Sequence, residues 1–230
     1  MPAPERASVW AVLVAAGRGE RLGGDRPKAF VRLGDLPLLA EPMRRLDECD
    51  AVDGVVVVAP EGWEEPAILL AEELGASKVA ACVTGGATRA ESVRAGVAEV
   101  PADAAVILVH DAARPLLPAG IVTRLLDALG EGFDGAVPAL AVTDTVKRAT
   151  GGVVAETLER SELVSVQTPQ AFTAAALRAA LERPSNSLLQ ASDCASLVEA
   201  GGGRIRVVEG DERLLKVTTP ADLDRVASWL

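Results

Sequence analysis

The sequence predicts an α/β fold, a Rossmann-like, mostly parallel central sheet flanked by helices, with a β-hairpin arm projecting from it. Three observations carry the prediction. Short β-branched runs alternate with longer helical patterns through the first half of the chain, the rhythm of successive βαβ units. Those runs are almost continuously apolar, as strands covered on both faces are. After Gly135 the rhythm breaks into two partly polar, β-rich segments joined by Gly151-Gly152. At 230 residues and 49% hydrophobic, the chain can bury one substantial core, so a single domain over 1–230 is expected.

In chain order, runs 9–15, 55–59, 78–83 and 105–109 read as strands, and 38–48, 64–74 and 90–97 as the helices between them. Strand, helix, strand repeated in this way implies right-handed crossovers and parallel pairing, with ligands outside the carboxyl ends of the strands. Segments 143–150 and 153–160 form the hairpin, within an arm spanning 140–163. A two-stranded ribbon is marginal alone in water, so it leans on its own sheet or on another subunit. Helices follow at 173–182 and 191–199, a strand at 204–208, and a last helix from Ala221, capped by Thr219 with Pro220 at its first position.

Composition removes several function classes. Cys49, Cys82 and Cys194 form no CxxC or Cys/His metal spacing, and they read as reduced thiols of a cytoplasmic protein. The opening MPAPERAS lacks the basic, then apolar pattern of a secretory leader, and the longest apolar runs fall well short of a membrane span. A net charge of −10 argues against non-specific nucleic-acid binding, so any anionic ligand must be gripped by a local cluster of cations.

Such a cluster follows the first strand, in VWAVLVAAGRGERLGGDRPKAF (9–30). Two phosphate-binding patterns can be tested there. Gly17 and Gly19 match two glycines of the dinucleotide fingerprint, but Leu22 occupies the third position, where a small residue lets helix and strand pack closely. The stretch 19–24 has P-loop spacing, yet Asp25-Arg26 follows where Lys-Ser/Thr is required. What remains is a small-residue strand end, Ala15-Ala16-Gly17, where backbone can approach a flat ligand. It leads into a loop whose amides and cations can surround phosphates. Pro27 then fixes the backbone beside Lys28.

Further motifs follow in order: GGATRAESV (85–93), VHDAARP (109–115), DTVK (144–147), QTPQAF (167–172), SDCASLVE (192–199) and LLKVTTPADL (214–223). With the AAGxGxR…PK loop, this ordered set closely resembles the 2-C-methyl-D-erythritol 4-phosphate cytidylyltransferase family of the non-mevalonate isoprenoid pathway. The resemblance implies transfer of the cytidylyl group of CTP to a polyol phosphate, with release of pyrophosphate and a divalent cation, Mg2+, as cofactor. Position by position, it assigns Arg21, Lys28 and Lys216 to the transition state. It assigns Ala15, Ala16, Gly17, Gly19, Gly85, Gly86, Arg89, Ser92, Asp111 and Ala112, with Arg21 and Lys28, to CTP. The acceptor falls to Asp111, Arg114, Thr145, Arg160, Ser192 and Lys216. The metal is expected to bind mainly through the CTP phosphates, with Asp111 as a candidate protein ligand. The family's hairpin arm crosses to the other subunit of a homodimer.

The chain departs from the common family pattern at Ala87, where Asp is usual, at Leu214, where Asn is usual, and at Ser192, where Thr is usual but a hydroxyl is kept. His110, the lone histidine, is read as structural, because an attacking phosphate is already ionised and needs no base. Three other readings stand beside this one: a ribitol 5-phosphate cytidylyltransferase, a catalytically silent nucleotide-binding homologue, and a nicotinamide-dependent oxidoreductase.

Overall fold

The computed structural model describes residues 7–17, 26–183 and 192–230. Strand β1 (Val9–Val14) is followed by a small antiparallel pair, β2 (Arg32–Leu33) and β3 (Leu36–Pro37), and by helix α1 (Ala40–Asp47). Then come β4 (Gly54–Ala59), α2 (Glu64–Leu74), β5 (Val79–Thr84), α3 (Arg89–Ala98) and β6 (Val106–Asp111). β4 and β6 are buried along their whole lengths, as strands between two helical layers must be. The parallel order β6-β1-β4-β5 brings four carboxyl-terminal strand ends to one rim.

The second half continues the sheet beyond the point where the sequence rhythm breaks. Helix α4 (Ile121–Gly130) leads into β7 (Gly135–Ala141). The sequence pattern does not predict this strand, because Pro138 argues against a sheet interior. Its neighbours explain the exception. The chain adds β8 (Lys147–Thr150), β9 (Val153–Thr157), β10 (Val164–Val166), β11 (Gln170–Thr173), α5 (Ala174–Leu181), α6 (Cys194–Ala200), β12 (Ile205–Glu209) and α7 (Pro220–Ala227). Ala136 pairs with both Ala171 and Arg206, and Ala139 with both Val166 and Glu209, so β10 and β11 share one edge of β7 and β12 takes the other. The Pro138 carbonyl accepts the Gln167 N–H at 2.7 Å, placing the prolyl nitrogen on that same edge, in the gap between the β11 and β10 ladders. No ladder donor is lost there.

Alternate residues of β1 feed two apolar cores. Val9, Ala11 and Leu13 pack with Leu46, Leu70 and Leu125 of α1, α2 and α4, while Val12 packs with Val93, Leu177 and Leu197 of α3, α5 and α6. The final helix begins as its sequence predicts, with a Thr219–Asp222 capping box and Pro220 in its first turn.

The hairpin β8–β9 forms a two-stranded sheet of its own. It turns through Gly151 and Gly152 at φ +58° and +80°, a conformation that only glycine adopts at little cost. The strands are shorter than the predicted 143–150 and 153–160. A register shift falls between Arg148 and Ala149, and 160–162 winds into a short 3-10 turn instead of extending the second strand. Val153 and Val154 stand 70% and 58% exposed on the arm.

Candidate active site

The rim formed by β1, β4, β5 and β6 opens into a cavity of about 580 Å3. One wall is backbone and small side chains, Ala15, Ala16 and Gly17 after β1, facing Gly86, Ala87 and Thr88 before α3. Close approach of these two walls explains Gly85, where an added Cβ would stand 2.2 Å from the Ala16 Cβ. The turn between β5 and α3 is fixed from within. Thr88 and Glu91 form a reciprocal capping box, and the buried Ser92 hydroxyl accepts from the Gly86 N–H at 3.1 Å and donates to the Thr88 carbonyl at 2.9 Å. Ser92 thus shapes the wall that it helps to line.

The opposite side carries the charge. Lys28 reaches the cavity from a 3-10 turn whose next two residues, Ala29 and Phe30, enter the core, with the Phe30 ring 4.5 Å from that of Trp63. Asp111 closes β6 and is almost fully buried, a position that a carboxylate tolerates only when paired. Its Oδ1 accepts from Arg89 Nε at 3.0 Å, with Nη2 at 2.9 Å but not aligned for a hydrogen bond. Its Oδ2 accepts from Lys216 Nζ at 2.6 Å. Burial pushes the Asp111 carboxyl up, but Arg89 and Lys216 outweigh it and hold the group well below the usual carboxylate range. Burial likewise pulls the Arg89 guanidinium down, and the Asp111 charge more than restores it. Asp111 and Arg89 are therefore both ionised at neutral pH. Arg89 Nη1 also meets the buried Cys194 thiol at 3.4 Å.

Lys216 comes from the far end of the chain on a loop tied to the β6 exit at both sides. Arg114 Nη1 donates to the Leu214 carbonyl at 2.5 Å, and the Val217 N–H donates to the Ala113 carbonyl at 2.8 Å. Asp222 secures the following turn, accepting from the Thr218 N–H and hydroxyl and from the Thr219 N–H. Leu214 is fully buried, and only its backbone carbonyl is engaged with Arg114, so the lysine loop is held without a side-chain amide at that position.

The structure gathers Ala15, Ala16, Gly17, Lys28, Gly86, Arg89, Ser92, Asp111, Ala112 and Lys216 around one cavity, with Gly85 directly behind its wall. Gly19 and Arg21 lie outside the described residues. Four expected acceptor residues do not line the cavity within one chain. Arg114 is occupied with the carbonyls of Leu214 and Val166, Thr145 and Arg160 are exposed at the arm with Arg160 Nη1 on the Thr143 carbonyl, and Ser192 is exposed before α6. Sequence reading passes over Thr168, whose hydroxyl accepts the Asp111 N–H at 3.0 Å. Its only signal is its place in QTPQAF. His110 is fully buried between Thr168 and the Arg114 carbonyl, which bears out its structural reading.

Among the described residues no three His, Cys, Asp or Glu side chains are grouped to hold a metal ion. Asp111 already meets a cation with each oxygen. This donor set fits an ion that arrives on ligand phosphates better than one held by the protein alone.

Comparison with known proteins gives a consistent result. The family profile described as "IspD: 2-C-methyl-D-erythritol 4-phosphate cytidylyltransferase" matches residues 9–230. The chain is 46% identical over 224 residues to the 2-C-methyl-D-erythritol 4-phosphate cytidylyltransferase of Nocardia farcinica, covering 97% of this chain and 94% of that one. It is 44% identical over 217 residues to the bifunctional enzyme IspD/IspF of Rhizorhabdus wittichii, covering 94% of this chain but spanning only 55% of that longer protein. The crystal structure of 2-C-methyl-D-erythritol 4-phosphate cytidylyltransferase from Thermus thermophilus superposes with a TM-score of 0.77 at 34% identity, over 95% of this chain and 96% of that one.

Proposed function

The chain belongs to the 2-C-methyl-D-erythritol 4-phosphate cytidylyltransferase family, and from that premise we propose how its residues carry out the transfer. The reaction joins CTP and 2-C-methyl-D-erythritol 4-phosphate to give 4-diphosphocytidyl-2-C-methyl-D-erythritol and pyrophosphate. An acceptor phosphate oxygen forms a bond to the α-phosphorus of CTP while the bond from that phosphorus to the β-phosphate oxygen breaks. The attacking oxygen is already anionic, so the barrier is electrostatic and positional, and no protein nucleophile is needed.

The observation that carries the proposal is the convergence of Lys28, Arg89, Asp111 and Lys216 on a cavity whose other wall is small residues and backbone. The cytosine lies along the wall of 15–17 and 86–88, where backbone amides and carbonyls can read its edge and the narrow space excludes a purine. Lys28 and Lys216 meet the triphosphate and stabilise charge on the α-phosphoryl group and the departing pyrophosphate, together with Arg21. Asp111 keeps Lys216 directed into the cavity at 2.6 Å. Mg2+ would be held chiefly by the phosphates, with Asp111 as the candidate protein ligand, and would neutralise part of the triphosphate charge.

For the acceptor we propose a homodimer in which the arm at 140–163 reaches the partner's cavity, bringing Thr145 and Arg160 to it, while Arg114 and Ser192 complete the pocket from nearby. Two features support this. Among the described residues the hairpin pairs only with itself, and it carries exposed Val153 and Val154, which a second subunit would cover. Four of the six expected acceptor residues, Arg114, Thr145, Arg160 and Ser192, also stand outside the cavity of a single chain. Residues 1–230 act as one nucleotidyltransferase unit in this proposal, and its free cysteines suit a cytoplasmic location. No described helix is long and apolar enough to cross a membrane.

Lys216→Ala tests the site assignment. Pyrophosphate release should fall by roughly 10²- to 10³-fold, the scale of one transition-state donor. Unchanged turnover would remove Lys216 from the reaction.

A further inference from the structure

Beneath the cavity, the turn that carries Asp111 is held by hydrogen bonds whose directions can be assigned. The Arg114 carbonyl only accepts, so His110 Nε2, 3.0 Å away, carries the ring proton. Among the described residues the fully buried ring meets a carbonyl and a hydroxyl and no carboxylate, so it is neutral, and Nδ1 is therefore an acceptor. The Thr168 hydroxyl at 3.1 Å donates to Nδ1, and its oxygen accepts the Asp111 N–H at 3.0 Å. His110 thus fixes both ends of the turn 111–114. From that turn Asp111 meets Lys216 at 2.6 Å, and Ala113 and Arg114 hold the lysine's loop.

We propose that His110, acting through Thr168 and the Arg114 backbone, is a positioning residue for the Asp111–Lys216 pair and so sets where Lys216 stands in the cavity. It touches no substrate and exchanges no proton with one. The inference rests on Lys216 meeting the triphosphate. An inert core histidine would differ in one respect, since its removal would reduce turnover by the same factor whether or not Lys216 is present.

The experiment is steady-state pyrophosphate release from CTP and 2-C-methyl-D-erythritol 4-phosphate by the full chain, with circular dichroism and thermal unfolding of each variant. His110→Phe and the isosteric Thr168→Val should each lower kcat roughly 10- to 100-fold, the scale on which ångström misplacement acts. In a Lys216→Ala background the same changes should cost less than about threefold, because the residue they position is gone. His110→Asn, which keeps an acceptor toward Thr168, should retain at least about a third of wild-type kcat.

Equal fold-losses with and without Lys216 overturn the proposal, as does His110→Asn performing no better than His110→Phe. Where His110→Phe does not fold, Thr168→Val alone and with Lys216→Ala decides by the same comparison. Wild-type turnover in Lys216→Ala would instead overturn the site assignment, so the two failures are distinguishable.

Discussion

Acidification from pH 6.5 to pH 4 should remove one contribution to this protein's stability, that of the neutral His110 ring. His110 is the chain's only histidine and is fully buried. Burial lowers its pKa from 6.5 to about 4, the Asp111 charge offsetting only part of that effect. Because the folded value is the depressed one, the unfolded chain takes up the proton first. The contribution of the neutral ring is complete above about pH 6.5, declines through the window and is gone by about pH 4. At about 1.4 kcal/mol per pH unit, the loss is roughly 3 kcal/mol.

The charged neighbours do not blur the window. Asp111 stays ionised through it, held down by Arg89 and Lys216 against the opposing effect of burial, and Arg114, though lowered by burial, stays protonated. The assay is urea unfolding of the wild type and His110→Asn at pH 7, 6, 5 and 4, where carboxylate titrations common to both cancel in the difference. The stability gap should shrink by roughly 3 kcal/mol between pH 7 and pH 4. A gap constant to within about 0.5 kcal/mol, or a ring resonance titrating near 6.5 in the folded protein, would refute the reasoning.

Other outcomes follow from the same geometry. Lys28→Ala should lower kcat by roughly 10²- to 10³-fold in the pyrophosphate assay, and unchanged kcat would take Lys28 out of the transition state. Arg160→Ala should raise KM for the acceptor more than KM for CTP; equal shifts would argue against an acceptor-side arm. Leu214→Asn should lower stability by about 2–4 kcal/mol in thermal or urea unfolding, because the side chain is fully buried in the core, where exchanging apolar contacts for an amide is costly. A neutral effect would show that the family's usual residue is accommodated there.

Much of this architecture could be read from residues alone, for identifiable reasons. β1, β4 and β6 are buried on both faces, so their unbroken apolar runs announce them. Thr219, Pro220 and Asp222 mark the last helix through capping chemistry that is local in sequence. β7 was hidden because Pro138 is acceptable only where two separate antiparallel segments meet its edge, a non-local circumstance. β10 and β11 are three and four residues long and lie in one stretch of the chain, too short for any period to show.

The site divides in the same way. Lys28, Asp111 and Lys216 fall at strand ends or in compact motifs, and they meet around one cavity. The triad of Arg89, Asp111 and Lys216 spans 22 and 105 residues of sequence separation, so motif order hints at its pairing while spacing is silent about it. Thr168 and the His110 tautomer rest on hydrogen-bond directions that exist only in three dimensions. Acceptor residues on the arm are legible as a motif, yet a single chain leaves them away from the cavity that they are proposed to serve.

The most direct test of cytidylyl transfer at this cavity is pyrophosphate release by the purified chain with CTP and Mg2+, comparing 2-C-methyl-D-erythritol 4-phosphate with ribitol 5-phosphate. Faster turnover with 2-C-methyl-D-erythritol 4-phosphate, dependent on both CTP and acceptor, is the predicted result. Faster turnover with ribitol 5-phosphate, or CTP binding without pyrophosphate release from either pair, would contradict it.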